Sequence, residues 1–567
     1  MLKFPISPSG YYTTSADYSF KTKDSFKLSN TIPRGNYIFD FKKNLSARWK
    51  LSMLAQLGDT IELIPFEKNG KRPVIDRKFR YVAKAGMNEF QSPNLSAYRY
   101  LQVLVKSKSG IKDFKLQAIF TSYPVKYMGS FECSNKFYNS LWTTTRYATQ
   151  LCMHDMFFDS PMHQEPNACT GDYLIESINN YYAFGDPYLT RQNLVQTAQM
   201  MEKNDYKMFH TSYSLLWVQM LKQYVLHTKD SSILRELLPH AHLLMKRFIG
   251  YLNKDFLVTE APNYMFMDWV GIDKYNAHHP PAMIGYGYMT AFLYKAMIDL
   301  DELSKSINVP MRYQELSSNI KSGINRILWD EQKKLYRDGI PFTTKVNPSF
   351  WLPADSNLIT YSAHINTLVV AYNIAPEQYK KDLMQYVITQ KDYELQPYFM
   401  FYVLQAVKSN DDLDMGLKLL ERWRPAIDEE TGTLKENWQD LTSTGYGGDY
   451  SHGWAGAPLA YLSQNILGIE PHKNELYYFA RLSVKQPLDW ARGTVPTYLN
   501  NEIKINLRKE GSGYIYNYTV PAAIKLRLIL PEDCSNCILE LNGRKLTPGK
   551  LVELAEGSHQ VKIVQGS

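Results

Sequence analysis

A short polar segment between Asp155 and Asp172 concentrates side chains that can carry out acid–base chemistry. Asp159, Glu165 and Asp172 are spaced six and seven residues apart, and no Lys or Arg stands between them to neutralise their charge. Like charges that crowd together raise one another's pKa, which suits a carboxylic acid that must keep its proton near neutral pH. The structural alternative is that Asp172 caps the next helix and Asp159 occupies a turn.

A second candidate acid, Glu436, stands in an aromatic setting. It lies in the segment L-K-E-N-W, shortly before the glycine-rich stretch 445–456. Two acids in distant loops with aromatic neighbours form the arrangement that glycoside hydrolysis requires, because one acid protonates the leaving oxygen while the other activates water or attacks the sugar. On spacing alone, the favoured interpretation of Glu436 is an ordinary surface glutamate.

The composition fits a large folded protein that handles sugars better than one that handles nucleic acid. The chain has 567 residues, of which 44% are hydrophobic and 21% charged, and this excludes a disordered or fibrous protein. Its 42 Tyr and 10 Trp suit an aromatic core or a site that stacks rings against sugars. The net charge of +8 is small for this length, and without a long Lys/Arg run we expect no nucleic-acid partner.

Cysteines and metal-binding motifs give little indication of a cofactor. The five cysteines, Cys133, Cys152, Cys169, Cys534 and Cys537, are too few and too scattered for a disulfide framework. The last two form a lone C-x-x-C, for which a local disulfide and a zinc site both stay open. Because the chain has no His-x-x-x-His, no Asp-rich loop and no paired C-x-x-C, we expect neither a metal nor a cofactor.

Targeting signals are absent from the sequence as written. Its first residues contain no apolar stretch of a signal peptide, and no run of about 18 apolar residues occurs along the chain. We therefore expect no membrane span. The chain as written predicts a cytoplasmic location, and a trimmed N-terminus would make a periplasmic or secreted one equally compatible.

The periodicity of apolar residues changes twice along the chain and divides it into three parts. Alternating runs predict a β-sandwich over residues 1–128, helical spacing predicts about twelve helices over 129–472, and alternation returns in a second β-sandwich over 473–567. A helical domain of this size without a fixed repeat favours a closed α/α toroid. We expect the residues for chemistry in loops around its mouth.

The polar segment also resembles a known signature. Residues 159–172 are similar, without a gap, to the D-C-P-Q-R-D-E-R-L-G-W-T-G-D motif of inverting α-L-rhamnosidases, glycoside hydrolase family 78. Further segments agree in order from about residue 30 to the end: Ile38–Phe41 with Asn44, Gly129–Ser134, Met267–Trp269, Glu436–Trp438, Ser451–Trp454, Gly493–Val495 and Thr519–Pro521. The resemblance implies a mainly α protein with flanking β structure, an (α/α)6 barrel between an N-terminal and a C-terminal β-sandwich.

The resemblance also implies an activity and roles for particular residues. The chain would cleave terminal α-L-rhamnosyl residues from a plant-type or microbial oligosaccharide or polysaccharide with inversion, using Glu165 as general acid and Glu436 as general base. The remaining site residues would bind the sugar: Asp159, His163, Asp172, Asp268, Trp269, Trp438, His452 and Trp454.

The chain departs from the signature close to the implied acid. The motif's Gln-Arg-Asp is Met162, His163 and Gln164, and its Trp is Cys169. These changes remove a bidentate donor and a stacking platform, so we expect them to affect which sugar and linkage are accepted. The alternatives are a glycosidase for another deoxysugar or a lyase on the same toroid, a non-catalytic glycan-binding relative, and a helical-repeat adaptor.

Overall fold

The fold is described from a computed structural model. It describes residues 4–6, 10–12, 26–28, 31–68, 77–166, 169–208, 210–259, 266–269, 283–284, 286–341, 359–392, 395–409, 412–439, 449–473, 476–484, 486–530, 537–546 and 552–564.

Contacts between residues group the chain into two compact units. The first comprises Met1–Val125, Thr144–Pro166 and Trp423–Ala455, and the second comprises Lys126–Thr143, Asn167–Arg422 and Gly456–Ser567. The N-terminal β region thus shares a unit with two segments that carry predicted site residues. The domain boundaries after residues 128 and 472 stay a prediction.

A nine-stranded antiparallel sheet belongs to the first unit. Its strands are β1 (Phe4–Ile6), β2 (Gly10–Tyr12), β3 (Phe26–Leu28), β4 (Gly35–Ala55), β5 (Thr60–Phe66), β6 (Phe79–Val82), β7 (Gly86–Gln91), β8 (Ser96–Lys106) and β9 (Lys112–Phe120). The main order is β1-β9-β4-β8-β5-β6, with β2 and β7 paired to β4 and β3 paired to β9. The core side chains of this unit include Phe39, Trp49, Leu101 and Leu116, all nearly inaccessible to solvent. Strands rich in such residues form here because their apolar faces pack together.

The structure describes twelve α-helices. They are α1 (Lys136–Cys152), α2 (Thr170–Ala183), α3 (Tyr188–Lys203), α4 (Thr211–Thr228), α5 (Ile233–Ile249), α6 (Gly287–Ser306), α7 (Gln314–Gly323), α8 (Ala363–Ala371), α9 (Glu377–Gln390), α10 (Met400–Ser409), α11 (Leu413–Leu420) and α12 (Ala457–Asn465).

Six helices of the second unit close into a ring. Helix α2 packs against α4, α4 against α6, α6 against α8, α8 against α10, α10 against α12, and α12 against α2. Helices α3, α5, α7, α9 and α11 each pack against a member of the ring. Every residue of α2 is buried, whereas α3 and α9 bury only part of their residues, as expected for inner and outer positions. This is the (α/α)6 arrangement, and the predicted fold class is confirmed.

Two sheets complete the second unit. The C-terminal strands and one strand before α1 are β10 (Ser130–Cys133), β17 (Ile469–Pro471), β18 (Tyr478–Arg481), β19 (Trp490–Pro496), β20 (Glu502–Glu510), β21 (Gly513–Val520), β22 (Leu526–Ile529), β23 (Ile538–Leu541), β24 (Arg544–Lys545), β25 (Glu553–Leu554) and β26 (Gly557–Val564). They form one sheet in the order β10-β19-β20-β21-β26-β23-β24 and another in the order β17-β18-β22-β25.

The strands that the structure describes within the helical region form short ribbons. Between α5 and α12 they are β11 (Met283–Ile284) with β14 (Ile340–Pro341), β12 (Trp329–Asp330) with β13 (Leu335–Tyr336), and β15 (Ile427–Asp428) with β16 (Thr433–Leu434). Each pair is antiparallel.

Two further sequence expectations concern cysteines and membranes. Cys133, Cys152 and Cys169 are buried thiols outside any disulfide, and Cys537 is disulfide-bonded, while Cys534 lies outside the described residues. None of the described helices is long and apolar enough to span a bilayer.

Candidate active site

Two chain segments of the first unit bring polar side chains together. One joins α1 to α2 and contains Asp159 and His163, and the other joins α11 to α12 and contains Glu436 and His452. A backbone hydrogen bond of 2.9 Å from the Gly453 amide to the Asp159 carbonyl ties the segments to each other. Residues far apart in sequence therefore share one buried cluster.

The Asp159 side chain holds the backbone that carries Glu165. The Glu165 amide donates to Oδ1 of Asp159 at 2.8 Å. Gln164 just before it adopts a φ of 60°, an uncommon value for a residue with a side chain, and its amide group donates to the carbonyls of Leu95 and Pro161. The Glu165 side chain itself is exposed. The loop is thus fixed in a strained conformation that presents an acid to solvent.

His163 lies between two buried aspartates. Its Nδ1 is 3.3 Å from Oδ2 of Asp159 and 3.3 Å from Oδ2 of Asp449. Burial opposes the charged form of the ring, but the hydrogen bond with Asp159 and the charge of Asp449 raise the pKa of His163 well above its ordinary value. His163 therefore supplies a cation where the signature has an arginine.

Glu436 is buried beside the same groups. Its amide donates to the Asp449 carbonyl at 3.0 Å, and its carbonyl accepts a 2.9 Å hydrogen bond from the indole of Trp454. Burial raises the pKa of Glu436 to about 8; the His163 cation lowers it, and the charges of Asp449 and Asp159 raise it further. The interpretation of Glu436 as a surface glutamate is wrong, because the residue is only 9% exposed.

His452 and Trp454 form an aromatic wall of the cluster. Their rings lie 4.3 Å apart, and the His452 amide donates to the Leu434 carbonyl at 3.0 Å. Nε2 of His452 is 3.8 Å from Oδ2 of Asp159. Burial and the neighbouring His163 cation hold the pKa of His452 well below its ordinary value, so this imidazole is neutral near pH 7.

Trp438 packs against another tryptophan. Its ring meets that of Trp423 edge-on, with centroids 5.2 Å apart, and the side chain is half-buried. This contact gives Trp438 a packing role, while its binding of substrate stays a prediction.

Two acids of the cluster escaped the sequence reasoning. Asp449 is 1% exposed and contacts His163, and Glu67 accepts hydrogen bonds from the Asn44 side chain at 2.5 Å and the Tyr450 amide at 3.2 Å. Burial and the charge of Asp449 raise the pKa of Glu67 to about 8, although the bond from Asn44 opposes this. Asp449 lies within the glycine-rich stretch 445–456, but nothing local distinguishes Glu67, which directly follows β5.

Three predicted site residues lie in the second unit. Asp172 is 1% exposed and stands in the first turn of α2, whose N-cap is Cys169, so Asp172 is not the capping residue of the structural alternative. Asp268 is fully buried, and its Oδ2 lies 3.2 Å from Nε2 of His364, a residue that the sequence did not single out. Trp269 donates its amide to the same aspartate at 2.9 Å.

The first-unit cluster can carry out acid–base chemistry on a polar ligand. It combines the buried Glu436 carboxyl, whose pKa is raised, with two aspartate side chains that can accept hydrogen bonds from hydroxyl groups. The rings of His452 and Trp454 add an aromatic face. Its imidazole and carboxylate atoms are also metal-ligand types, since one ligand atom from each of Asp159, His163, Asp449 and His452 lies within 4.8 Å of the others. These features define a candidate site for a sugar.

Comparison with known families agrees with this geometry. Residues 126–466 match the bacterial alpha-L-rhamnosidase 6 hairpin glycosidase domain. Because the match covers more than half of the chain, the protein belongs to this family. The resemblance to family 78 drawn from the signature is thereby confirmed.

Solved structures share the fold at low sequence identity. A rhamnosidase of Bacillus sp. GL1 is 20% identical, with a TM-score of 0.78 over 90% of this chain and 55% of the relative. An α-L-rhamnosidase from Dictyoglumus thermophilum is 18% identical, with a TM-score of 0.76 over 95% and 63% of the two chains. One from Streptomyces avermitilis, complexed with L-rhamnose, is 14% identical, with a TM-score of 0.73 over 95% and 53%. The chain thus spans little more than half the length of these relatives. A search of curated proteins gives no match.

Proposed function

We propose that the protein is a glycoside hydrolase that removes terminal α-L-rhamnosyl residues from an oligosaccharide or polysaccharide with inversion of the anomeric configuration. The observation that carries the proposal is that one aspartate adjoins both acids: the Glu165 amide donates to Asp159, and the charge of Asp159 helps to raise the pKa of the buried Glu436. Family membership and the motif order from Asp159 to Asp172 support it.

The reaction needs two proton transfers and one displacement. Glu165 gives its proton to the glycosidic oxygen as the bond from that oxygen to the anomeric carbon breaks. Water attacks the same carbon from the opposite face and loses a proton to Glu436, so one acid ends deprotonated and the other protonated. Rhamnose with inverted configuration and the free alcohol leave together.

The other predicted residues would bind the sugar. We assign Asp159, His163 and His452 to its hydroxyls and Trp454 to a wall of the pocket. Asp159 and His163 act on the Glu436 carboxyl by their charge, Trp454 donates to the Glu436 carbonyl, and His452 packs against Trp454. The resemblance supports sugar binding by four further residues: Asp172, Asp268, Trp269 and Trp438.

One observation favours a second assignment of roles. Burial raises the pKa of Glu436 to about 8, which suits an acid, whereas Glu165 is exposed. Exchange of the two roles would leave the activity and the inversion unchanged. The two assignments differ in which glutamate variant loses less kcat on a substrate whose leaving group needs no proton.

The activity itself is tested on nitrophenyl α-L-rhamnoside and on a panel of rhamnose-containing glycans. We expect free L-rhamnose by chromatography, with release slowed about 10²–10⁴-fold by Glu436→Gln and unaffected by Glu429→Gln, which alters an exposed glutamate of the same segment. An unsaturated product that absorbs ultraviolet light would identify a lyase. Glycan binding without any product would instead identify a binding protein and refute the proposal.

A further inference from the structure

We propose that Asp159, His163, Asp449 and His452 form a binding site for one divalent transition-metal ion, with Zn²⁺ as the best fit. The four residues come from the two segments of the first unit described above. One ligand atom of each lies within 4.8 Å of the other three.

The spacing of the ligand atoms matches a four-coordinate site. Nδ1 of His163 is 3.3 Å from Oδ2 of Asp159 and 3.3 Å from Oδ2 of Asp449, and Nε2 of His452 is 3.8 Å from Oδ2 of Asp159. With zinc–ligand bonds of about 2.0–2.1 Å, neighbouring ligands of a tetrahedral ion are about 3.3–3.4 Å apart. The other pairs of ligand atoms lie within 4.8 Å of each other, so an ion would fit after the ligands draw together by at most about 1.5 Å.

The ligand types select the metal. Two imidazole nitrogens with two carboxylate oxygens suit Zn²⁺ and its first-row neighbours. Calcium and magnesium prefer about six or more oxygen ligands, and this cluster offers only two carboxylates.

The remaining atoms of both aspartates are already committed, which leaves one oxygen of each for a metal. Oδ1 of Asp159 accepts from the Glu165 amide, and Oδ1 of Asp449 accepts from the Ser451 amide at 2.9 Å. Oδ2 of Asp449 is buried and accepts no hydrogen bond from the described residues, and it faces His163. A buried oxygen in this state is poised to coordinate a cation.

A single departure from the family signature creates the fourth ligand. Position 163 is arginine in the signature, and a guanidinium is a permanent cation that cannot ligate a metal. A histidine at this position can do so. The inference therefore concerns this chain's own sequence and not the family's pattern.

The site overlaps with residues that the proposed function assigns to sugar hydroxyls. A bound ion would occupy the place of the sugar, so we infer that it inhibits hydrolysis competitively and that turnover does not require it. The binding claim does not rest on the proposed function, because it is measured without any substrate.

The test uses the full chain without a histidine tag, after treatment with a chelator. Calorimetric titration with Zn²⁺ is expected to give one ion per chain, and Co²⁺ is expected to give the intense visible absorption of a four-coordinate site. The variant His163→Arg should weaken binding more than about tenfold, since loss of even an outer-shell partner costs about that much. The control His559→Gln changes a histidine of β26 and should bind like the parent.

A second variant guards against misfolding. Asp449→Asn retains the size of the side chain and should also weaken Zn²⁺ binding more than about tenfold while circular dichroism stays unchanged. Equal Zn²⁺ affinity of the parent and both variants, or no binding by the parent, would overturn the metal site. One ion bound by a protein that hydrolyses no rhamnoside would refute the proposed function and leave the metal site standing.

Discussion

The backbone amide of Glu165 donates to Oδ1 of Asp159 at 2.8 Å, across six residues of the loop that precedes α2. This bond couples the proposed acid to the buried charge cluster, because the other oxygen of Asp159 contacts His163. Asp159 therefore fixes the backbone of Glu165, in addition to its proposed contact with the sugar.

The first prediction follows from that bond. Asp159→Ala removes the acceptor for the Glu165 amide, and we expect kcat to fall about a hundredfold with a stronger dependence on the leaving group, because the acid is displaced. Asp159→Asn keeps an acceptor and should leave that dependence as in the parent. Asp155→Asn, in an exposed residue of the same segment, is the control and should have parental kinetics. Parental leaving-group dependence in Asp159→Ala would show that the bond does not position the acid.

The second prediction separates the two carboxyl roles. Glu165→Gln should lower kcat by about 10²–10⁴-fold on methyl α-L-rhamnoside but much less on the dinitrophenyl glycoside, whose leaving group needs no proton. Glu436→Gln should lower kcat on both to a similar degree, because activation of water does not depend on the leaving group. If Glu436→Gln, and not Glu165→Gln, keeps more kcat on the dinitrophenyl glycoside, then Glu436 is the general acid, which would agree with its raised pKa.

The third prediction concerns the buried Glu67. Glu67→Ala removes the acceptor of the Asn44 side chain and the Tyr450 amide, and we expect the free energy of unfolding to fall by about 2 kcal/mol or more. Glu67→Gln should cost less than Glu67→Ala, since its carbonyl oxygen keeps one of the two hydrogen bonds while its NH2 group cannot accept the other. Denaturant titration at pH 7 measures both. Equal losses would show that the retained acceptor does not stabilise the fold.

The fourth prediction is a pH dependence of stability. Burial lowers the pKa of His154 from 6.5 to about 4. The contact of its ring nitrogen with the Leu151 carbonyl and the charge of Asp155 oppose this shift. The same nitrogen also contacts the Ser46 hydroxyl. The unfolded chain binds a proton below pH 6.5 before the folded one does, so stability is full above 6.5 and is lost as pH falls towards 4.

The loss at His154 should reach about 2 kcal/mol between pH 6.5 and pH 5. Denaturant titrations at several pH values should therefore show a smaller acid loss in His154→Gln than in the parent. An identical pH slope in the two proteins would show that folding does not lower the pKa of His154.

Much of the fold was predictable from periodicity. Alternation over Ile503–Leu507 corresponds to β20, in which Ile503, Ile505 and Leu507 are buried between exposed neighbours. Helical spacing over 289–303 corresponds to α6, an inner helix of the ring. These signals are local, because each depends on which face of one element meets the core.

The cluster was only partly predictable. The signature located Asp159 and His163, and the further matching segment Ser451–Trp454 located His452. Asp449 and Glu67 were not singled out, because their importance comes from a tertiary contact between distant segments. The burial of Glu436 was likewise not visible, since an L-K-E-N-W segment carries no pattern of an interior strand or helix. Sequence patterns report neighbours along the chain, whereas these groups are neighbours only in space.

The central claim is inverting hydrolysis of an α-L-rhamnoside, and the product's first configuration tests it most directly. Proton NMR should be recorded in D₂O during the first minutes of hydrolysis of nitrophenyl α-L-rhamnoside, before mutarotation equilibrates the sugar. The proposed displacement by water opposite to the leaving group predicts that β-L-rhamnose appears first and that the α anomer follows. Initial formation of α-L-rhamnose, or hydrolysis of another glycoside in place of the rhamnoside, would contradict it.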